Sequence, residues 1–351
     1  MIPSHIKISN IESNIIDFLS KSNYSKIGIL VDNNSNKHCF PIIKKILKIP
    51  YSIIEIKSGE KEKNIKTCIK VWNSLTELKF DRKSLLINLG GGVISDLGGF
   101  IAATYMRGID FINIPTTLLS QVDAGIGGKL GINFNKLKNH VGVFLNPKKI
   151  FIDTDLLKSL PIRELKSGFA EVIKHCLVKD KNEFYRLLNT NWKNYDWNDI
   201  IKHSIKIKSS IVKKDPLENG IRKILNFGHT IGHAIESVYM SKNNYLLHGE
   251  AIAIGIICES YISYTSNALQ KNELDLITKF ITKTYKPNII NKNKIKPILE
   301  AIIHDKKNIN NKIKMSLIEK IGKCGYNYNI NKLVINESID YYNSCIQWNS
   351  Q

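Results

Sequence analysis

The first half of the chain alternates short apolar runs with helical patterns, and this alternation restricts the fold more than any other feature. Five apolar runs predict buried strands at residues 26–31, 52–56, 84–89, 111–114 and 149–152. Between the second and third runs, apolar side chains recur at helical spacing over residues 64–79. Strands that alternate with helices in this way predict a parallel sheet covered on both faces.

The pattern changes after about Asp155, where long segments take on a period of 3.6 residues. These segments predict helices at residues 163–180, 198–214, 229–241, 250–269 and 273–284. Residues after about 312 carry no motif that predicts a structure. We therefore expect an α/β N-terminal nucleotide-binding domain with a parallel sheet over residues 1–155, followed by an all-α C-terminal domain over residues 156–351. The active site is then expected in the interdomain cleft.

Length, composition and cysteine usage are those of a globular protein. A chain of 351 residues is long enough for two domains. It has no run of 18 or more uncharged apolar residues, which excludes a membrane-spanning helix. Its six cysteines are scattered without a C-x-x-C pair, and its first residues lack the pattern of a secretory signal. We expect a cytoplasmic protein with no membrane partner.

The net charge of +20 comes from lysines that are spread along the whole chain. Many of them lie beside Asn and Ile, as in residues 42–48 and 306–312. A genome-wide drift towards Lys, Asn and Ile codons would produce this pattern without selection for any partner. A tail that binds polyanions would cluster its charge, so we expect no nucleic-acid partner. The alternative is a basic nucleic-acid-binding protein, whose affinity would fall steeply with salt.

The third predicted strand runs directly into Gly90-Gly91-Gly92 and then into a helical segment. Glycines let the backbone approach a diphosphate closely, and a helix N-terminus offers N–H groups and the positive end of a dipole. Ser95 stands where the dinucleotide-binding fingerprint has its third glycine, so the motif is incomplete. The segment predicts a cofactor loop, with a tight strand-to-helix turn as the alternative.

Polar residues also follow the other predicted strands. Asp32 ends the first strand, and residues 59–63 and 115–117 follow the second and fourth strands. Ligands of open α/β sheets gather at the carboxyl ends of the strands, so these groups predict one binding edge. Asp32 by itself suits either a ribose contact or a helix cap.

A glycine-rich segment, residues 120–129, ends in Lys129 and suits a phosphate or pyrophosphate. Leu130 stands where a P-loop requires Ser or Thr, which disfavours a P-loop NTPase. A wider set of cations suits an anionic substrate, although each one singly also suits a solvated surface: Arg107, Lys129, Lys138, Lys174, Lys208, Arg222 and Lys306 or Lys307.

Histidines are concentrated in the helical half. His229 and His233 are four residues apart on one helix face, and His248 lies at the start of the next helix. Glu171 and Lys174 are three residues apart on an earlier helix. Two histidines and one glutamate from three helices make a three-ligand site with an open position, as in catalytic zinc sites. The alternative is a set of helix caps and core histidines.

Taken together, these segments resemble the 3-dehydroquinate synthase family of sugar-phosphate cyclases. The resemblance spans about residues 25–310 in the family's order and is carried by residues 90–96, 105–108, 115–123, 127–129, 160–161, 167–174, 225–236, 248–250 and 305–307. Two positions depart from the family pattern. Ser159 stands where Thr is usual and keeps its hydroxyl, and His140 stands where an apolar residue is usual.

The resemblance implies a particular set of site residues. One divalent cation, Zn²⁺ or Co²⁺, is expected at Glu171, His229 and His248. NAD is expected at residues of the first domain, namely Asp32, Glu60, Lys63, Gly91, Gly92, Val93, Asp96, Thr116, Thr117, Asp123, Lys129, Lys138 and Ser159. The implied catalytic and substrate-binding residues are His233, Lys129, Lys174, Arg222, Lys208, Asn139 and Arg107.

The resemblance also implies an activity, the conversion of 3-deoxy-D-arabino-heptulosonate 7-phosphate to 3-dehydroquinate and phosphate in the shikimate pathway of aromatic amino acid biosynthesis. The implied course is transient oxidation by NAD, phosphate elimination, reduction and intramolecular aldol closure. Members of the family are usually homodimers. Two alternatives remain open at this point: an NAD- and metal-dependent polyol dehydrogenase, and a cyclase that acts on a different sugar phosphate.

Overall fold

The structure is a computed structural model that describes residues 2–135, 137–240, 245–303 and 313–348. It divides into two compact units, Met1–Leu165 with Asp196–Ser209, and Lys166–Tyr195 with Ser210–Gln351. The domain boundary at residue 155 stays a prediction. Lys306 and Lys307, two of the candidate cations, lie outside the described residues.

The first unit contains eight strands among its described residues. They are β1 (Ile6–Ile8), β2 (Ile27–Asp32), β3 (Ser52–Ile56), β4 (Leu85–Gly90), β5 (Asp110–Pro115), β6 (Lys129–Phe134), β7 (Leu137–Phe144) and β8 (Lys149–Ile152). Six of them form a parallel sheet in the order β1-β8-β5-β4-β2-β3. The five predicted strands are confirmed, each to within one residue at either end. The edge strand β1 is too short to have given a signal.

The sheet is buried on both faces because its side chains alternate between two hydrophobic cores. In β4, Leu85, Ile87 and Leu89 point into one core, and Leu86 points into the other. Both cores are closed by helices, so nearly every position of the strand needs an apolar side chain. This explains why the central strands appear in the sequence as continuous apolar runs rather than as an alternating pattern.

Five helices lie between strands of the first unit. They are α1 (Ile11–Ser20), α2 (Asn33–His38), α3 (Phe40–Ile46), α4 (Ile65–Glu77) and α5 (Gly92–Thr104). From β2 the chain moves outward to β3 and then returns to β4 on the other side of β2. This reversal opens a crevice at the carboxyl ends of β2 and β4, which is where open α/β sheets bind ligands.

A hairpin of β6 and β7 follows β5 and was not predicted. Its strands are antiparallel and include Lys129, Lys138 and Asn139, which the sequence placed only in a glycine-rich segment and its continuation. Gly131 and Gly142 face each other across the hairpin, and a Cβ on Gly142 would overlap the Leu130 carbonyl. Glycine at these two positions therefore allows close strand pairing.

The rest of the chain is mainly helical, as predicted. Its helices are α6 (Ile162–Lys179), α7 (Lys181–Asn189), α8 (Trp197–Lys214), α9 (His229–Tyr239), α10 (His248–Thr265), α11 (Lys271–Tyr285), α12 (Lys292–Ile303) and α13 (Lys332–Trp348). None of the helices in the described residues is long and apolar enough to cross a membrane.

The expectation of an all-α second half needs one correction. Two antiparallel strands, β9 (Ile313–Lys320) and β10 (Lys323–Ile330), form a hairpin near the end of the chain. The alternation of Ile313, Lys314 and Met315 was a strand signal that the lysine-rich composition hid. The hairpin supports the segment before α9, since the Ser316 hydroxyl donates to the Lys223 carbonyl at 2.6 Å.

Gly98 on α5 is required for close packing against the sheet. Asn88, fully buried in β4, donates to Asn113 of β5 at 3.0 Å, and a Cβ on Gly98 would overlap its side-chain oxygen. We expect Gly98→Ala to lower the free energy of unfolding by about 1–3 kcal/mol, because a methyl group here overpacks a filled core. Urea denaturation followed by circular dichroism measures the change. The exposed Lys70→Ala on α4 is the control, with an expected change within about 0.5 kcal/mol; equal effects would contradict the packing argument.

Candidate functional site

Three helices of the second unit bring a glutamate and two histidines together. Glu171 comes from α6, His229 begins α9 and His248 begins α10. One carboxylate oxygen, Oε1 of Glu171, lies 3.4 Å from Nε2 of both His229 and His248. Glu171 is fully buried. The three side chains implied as ligands therefore lie around one carboxylate oxygen, and their role as metal ligands stays a prediction.

The other ring nitrogens of the two histidines have acceptors that fix their orientation. Nδ1 of His229 lies 3.1 Å from the Phe227 carbonyl, and Nδ1 of His248 lies 3.4 Å from Oε2 of Glu236. A carbonyl only accepts, so Nδ1 of His229 donates and its Nε2 keeps the lone pair. Metal-binding histidines are held in this way in proteins, with the second nitrogen bonded to a carbonyl or carboxylate. The donor set fits a divalent cation.

His233 belongs to the same cluster. Its ring centroid lies 5.0 Å from that of His229 and 5.7 Å from that of His248. Ligand atoms of the three histidines all lie within 4.8 Å of one another. The geometry thus accepts His233 either as a ligand or as a hydrogen-bonding group beside the ligands, and its catalytic role stays a prediction.

Charge at this centre is balanced by Lys174. Its ammonium contacts Oε2 of Glu171, one helical turn away, and its side chain is almost completely buried. Burial opposes ionisation of Glu171, but the Lys174 ammonium outweighs it and holds the pKa of the carboxyl well below its usual range. Burial, together with Lys174, lowers the pKa of His229 to about 4. Both groups are therefore in the protonation state that a cation requires.

His248 differs from His229 in its charge. Burial would lower its pKa, but the carboxylates of Glu236 and Glu171 outweigh burial and raise it to about 10. The imidazole must give up this proton before its nitrogen can bind a cation. Glu236 was missed as a functional residue. It lies seven residues after His229 on α9, a spacing of two turns that places both on one face and could have been read from the sequence.

Glycines hold the three helices at short distances. A Cβ on Gly249, the second residue of α10, would overlap the Ser167 carbonyl of α6, and a Cβ on Gly255 would overlap the Gly228 carbonyl just before α9. The Gly249 amide donates to the Ser167 hydroxyl at 3.0 Å. Backbone contacts of this kind fix the relative positions of Glu171, His229 and His248.

Arg222 is also buried in the second unit. It lies in the short helical segment Ile221–Asn226 that precedes Gly228. Its main-chain amide donates to Asp215 at 3.0 Å, and its guanidinium contacts the Pro216 carbonyl. Substrate binding by Arg222 stays a prediction.

In the first unit, the glycine turn after β4 forms a narrow space. Gly91 is the N-cap of α5, and its added Cβ would lie 3.1 Å from Cγ2 of Thr117. A Cβ on Gly92 would lie 3.2 Å from that of Ala124. The N-terminus of α5 therefore faces the turn after β5, where Thr116 is buried and Thr117 is half-buried. Backbone N–H groups at such a helix N-terminus suit a diphosphate.

A lysine connects several residues of this edge. Nζ of Lys63 lies 2.6 Å from Oδ2 of Asp96 and 2.5 Å from Oδ1 of Asn139. Burial raises the pKa of Asp96 above its usual value, although Lys63 opposes this effect. Oε1 of Glu60 accepts from Asn133 at 2.9 Å. The structure therefore groups Glu60, Lys63 and Asp96, predicted for NAD, with Asn139, predicted for the substrate.

Lys208 joins the same unit through Asp123. Its ammonium lies 2.6 Å from both Oδ1 and the main-chain oxygen of Asp123. Asp32 has a structural role, since its Oδ1 accepts from the amides of Asn34 at 2.9 Å and Ser35 at 2.8 Å and so caps α2. A ribose contact of Asp32 stays a prediction.

Other predicted residues are more exposed or lie elsewhere. Val93 in the first turn of α5 and Lys138 on β7 are half-buried, and Lys129 at the start of β6 and Ser159 are exposed. Arg107 follows the C-terminal end of α5 and is exposed. Because α5 starts at the carboxyl edge of the sheet, Arg107 lies at the opposite edge. The structure does not group Arg107 with the other candidates of this unit.

Comparison with solved structures defines the class of protein. The fold matches 2-epi-5-epi-valiolone synthase from Streptomyces hygroscopicus, solved with NAD⁺ and Zn²⁺, with a TM-score of 0.87, 21% identity and 97% coverage of each chain. It also matches 2-deoxy-scyllo-inosose synthase complexed with carbaglucose-6-phosphate, NAD⁺ and Co²⁺, with a TM-score of 0.82, 25% identity and 96% coverage of each chain. The fold is therefore that of the sugar-phosphate cyclases.

Sequence comparison defines the family within this class. The 3-dehydroquinate synthase N-terminal family matches residues 53–167, and the 3-dehydroquinate synthase C-terminal family matches residues 168–308. The 3-dehydroquinate synthase of Parabacteroides distasonis is 40% identical over 339 residues, 95% of this chain and 96% of the relative. The chain belongs to the 3-dehydroquinate synthase family.

The carboxylate of Glu236 is expected to tune the metal centre through His248. We expect Glu236→Gln to weaken Zn²⁺ binding about 10- to 100-fold, the usual cost of losing such a partner of a ligating histidine. Competition with a chromogenic chelator measures the affinity. Glu319→Gln, which removes the carboxylate that pairs with Lys323 on the β9–β10 hairpin, is the control. Unchanged Zn²⁺ affinity in Glu236→Gln would refute the role given to Glu236.

Proposed function

We propose that this chain converts 3-deoxy-D-arabino-heptulosonate 7-phosphate to 3-dehydroquinate and phosphate with bound NAD and one divalent cation. The observation that carries the proposal is the convergence of Glu171, His229 and His248 beside Lys174, in a member of the 3-dehydroquinate synthase family. The reaction returns the cofactor to its starting state, so the chain has no need to release it between turnovers.

The cation is assigned to Glu171, His229 and His248. A divalent cation bound there supplies Lewis-acid chemistry, which lowers the pKa of a substrate hydroxyl that it binds. Lys174 neutralises the second carboxylate oxygen of Glu171, and we assign it the stabilisation of negative charge on the substrate. To His233, in the same cluster, we assign the exchange of a hydrogen bond or proton with a substrate hydroxyl or carbonyl.

NAD is assigned to the carboxyl edge of the sheet in the first unit. The cofactor supplies a hydride acceptor that later returns the hydride. Gly91 and Gly92 give its diphosphate access to the N-terminus of α5, and Val93 follows in the same turn. The remaining NAD assignments are Asp32, Glu60, Lys63, Asp96, Thr116, Thr117, Asp123, Lys129, Lys138 and Ser159.

The substrate carries a carboxylate and a phosphate, so its site requires several cations. We assign this role to Lys129, Lys208 and Arg222, with Asn139 as a polar contact. Arg107 is assigned to the same role, although it lies at the other edge of its own sheet. The sugar-phosphate analogue, NAD⁺ and Co²⁺ in the complex of 2-deoxy-scyllo-inosose synthase support an anionic substrate beside a cofactor and a cation.

The proposal has a direct test that separates it from a dehydrogenase. Purified protein with catalytic amounts of NAD and Zn²⁺ is expected to release stoichiometric phosphate from the heptulosonate phosphate, with no net accumulation of NADH. Phosphate is followed colorimetrically and NADH by absorbance. NADH accumulation with a polyol would identify a dehydrogenase. Turnover of a different sugar phosphate, with none of the heptulosonate phosphate, would identify another cyclase.

His229→Ala is expected to lose bound zinc and turnover together. The substitution removes one of three ligands, and the remaining pair leaves a much weaker site. Metal content of the purified protein is measured by mass spectrometry, and activity by phosphate release. His5→Ala, in the residue before β1, is the control and is expected to keep both. Full zinc content and full activity in His229→Ala would show that the ligand assignment is wrong.

We also propose that the protein is a cytoplasmic homodimer that binds no nucleic acid. The family resemblance supports the dimer, and the absence of disulfides among the described residues is consistent with a reducing compartment. Light scattering of the purified chain tests the oligomer, since one chain has a mass of 39.9 kDa.

A further inference from the structure

The N-terminus of α9 is capped by a side chain of another helix. Its own N-cap, Gly228, has a φ of 79° and no side chain to offer. The first amides of a helix lack partners within the helix. Glu259 of α10 provides the missing acceptors. Its Oε2 accepts from the Gly228 amide at 2.6 Å, and its Oε1 accepts from the Ile231 amide at 3.0 Å. The two oxygens of one carboxylate thus bind the amides of Gly228 and Ile231, and His229 lies between these two residues in the sequence.

Glu259 reaches α9 because the two helices touch there. Gly255 precedes it by one turn on the same face of α10, and a Cβ on Gly255 would overlap the Gly228 carbonyl. Glu259 is fully buried. A buried carboxylate is costly to desolvate and is retained where its hydrogen bonds offset that cost. Charge-assisted bonds to helix amides are among the strongest available.

The peptide group that contains the Gly228 amide also connects Glu259 to His229. It belongs to the same peptide group as the Phe227 carbonyl, which accepts from Nδ1 of His229 at 3.1 Å. The described peptide bonds are all trans, so the N–H and C=O of this group point in opposite directions. A hydrogen-bonded series therefore runs from the Glu259 carboxylate through one peptide group to the imidazole. A charged acceptor at one end polarises the peptide and strengthens its carbonyl as an acceptor.

We propose that Glu259 is a positioning residue that fixes the tautomer and ring orientation of His229 through the Phe227–Gly228 peptide. With Nδ1–H held by the Phe227 carbonyl, Nε2 of His229 presents its lone pair to the cation. The proposal deepens the proposed function, since it rests on His229 as a ligand. It assigns the task to a residue that touches neither the cation nor the substrate.

Glu259→Gln tests the proposal because an amide keeps the shape but places an NH₂ group against one of the two backbone donors. The buried Ser263→Ala, one turn further along α10, is the matched control, since its hydroxyl bonds only within α10, to the Glu259 carbonyl. Long-range ¹H–¹⁵N spectra of the metal-free protein report the tautomer of His229. Visible spectra of the Co²⁺-loaded protein report ligand geometry, and chelator competition reports affinity.

We expect Glu259→Gln to give a mixture of His229 tautomers, an altered Co²⁺ spectrum and Co²⁺ binding weakened about 10-fold or more, as for loss of other groups that orient metal ligands. Ser263→Ala is expected to keep the parent spectra even if its stability falls. A Glu259→Gln protein with the parent tautomer, spectrum and affinity would overturn the proposal. If Glu259→Gln does not fold, Glu259→Asp gives the same readouts, because it keeps the charge but withdraws the oxygens from the amides.

The two proposals fail in different ways. If the parent protein binds no Co²⁺ or Zn²⁺, the proposed function is wrong, and the tautomer of His229 in the metal-free protein still tests Glu259. If the parent binds metal normally and only the Glu259 result is negative, the positioning role alone is wrong.

Discussion

The site in the helical half is built around a carboxylate, Glu171, that has no access to water. Removing an ionised carboxyl group from water costs several kcal/mol unless nearby charges and hydrogen bonds compensate. At Glu171 the compensation comes from Lys174 on one oxygen and the protonated imidazole of His248 on the other. A divalent cation beside Glu171 would satisfy this carboxylate better than the imidazole does, so the buried carboxylate favours metal binding.

Such a centre requires three helices to hold their side chains within fractions of an ångström. Backbone contact at glycines sets the helix separations, and polar groups tie down the helix starts: the Ser167 hydroxyl at α10 and the Glu259 carboxylate at α9. Each of these groups belongs to a helix that itself carries a ligand. The helices therefore position one another, and none acts as an independent scaffold.

Sequence reasoning predicted the elements that have a strong period and missed those that do not. The strands of the sheet are continuous apolar runs because two cores bury them. Residue types and spacing predicted a site of one glutamate and two histidines, and the family resemblance then singled out Glu171, His229 and His248. The hairpin of β6 and β7 was missed because the glycine-rich segment that leads into it, residues 120–129, was interpreted as a phosphate loop. Glu259 was missed because its partners, Gly228 and Ile231, are main-chain amides on another helix, and no pattern along one helix records such a contact.

The hairpin of β9 and β10 affects the order in which parts of the protein fold during synthesis. It comes late in the chain, yet Ser316 holds the carbonyl of Lys223, next to the buried Arg222. The parallel sheet is complete once residue 152 has been synthesised, and domains generally fold as the ribosome releases them. The segment around Arg222 must wait for nearly a hundred further residues to emerge. A nascent chain that stalls before β9 would therefore carry a formed parallel sheet but would lack the support of the segment around Arg222.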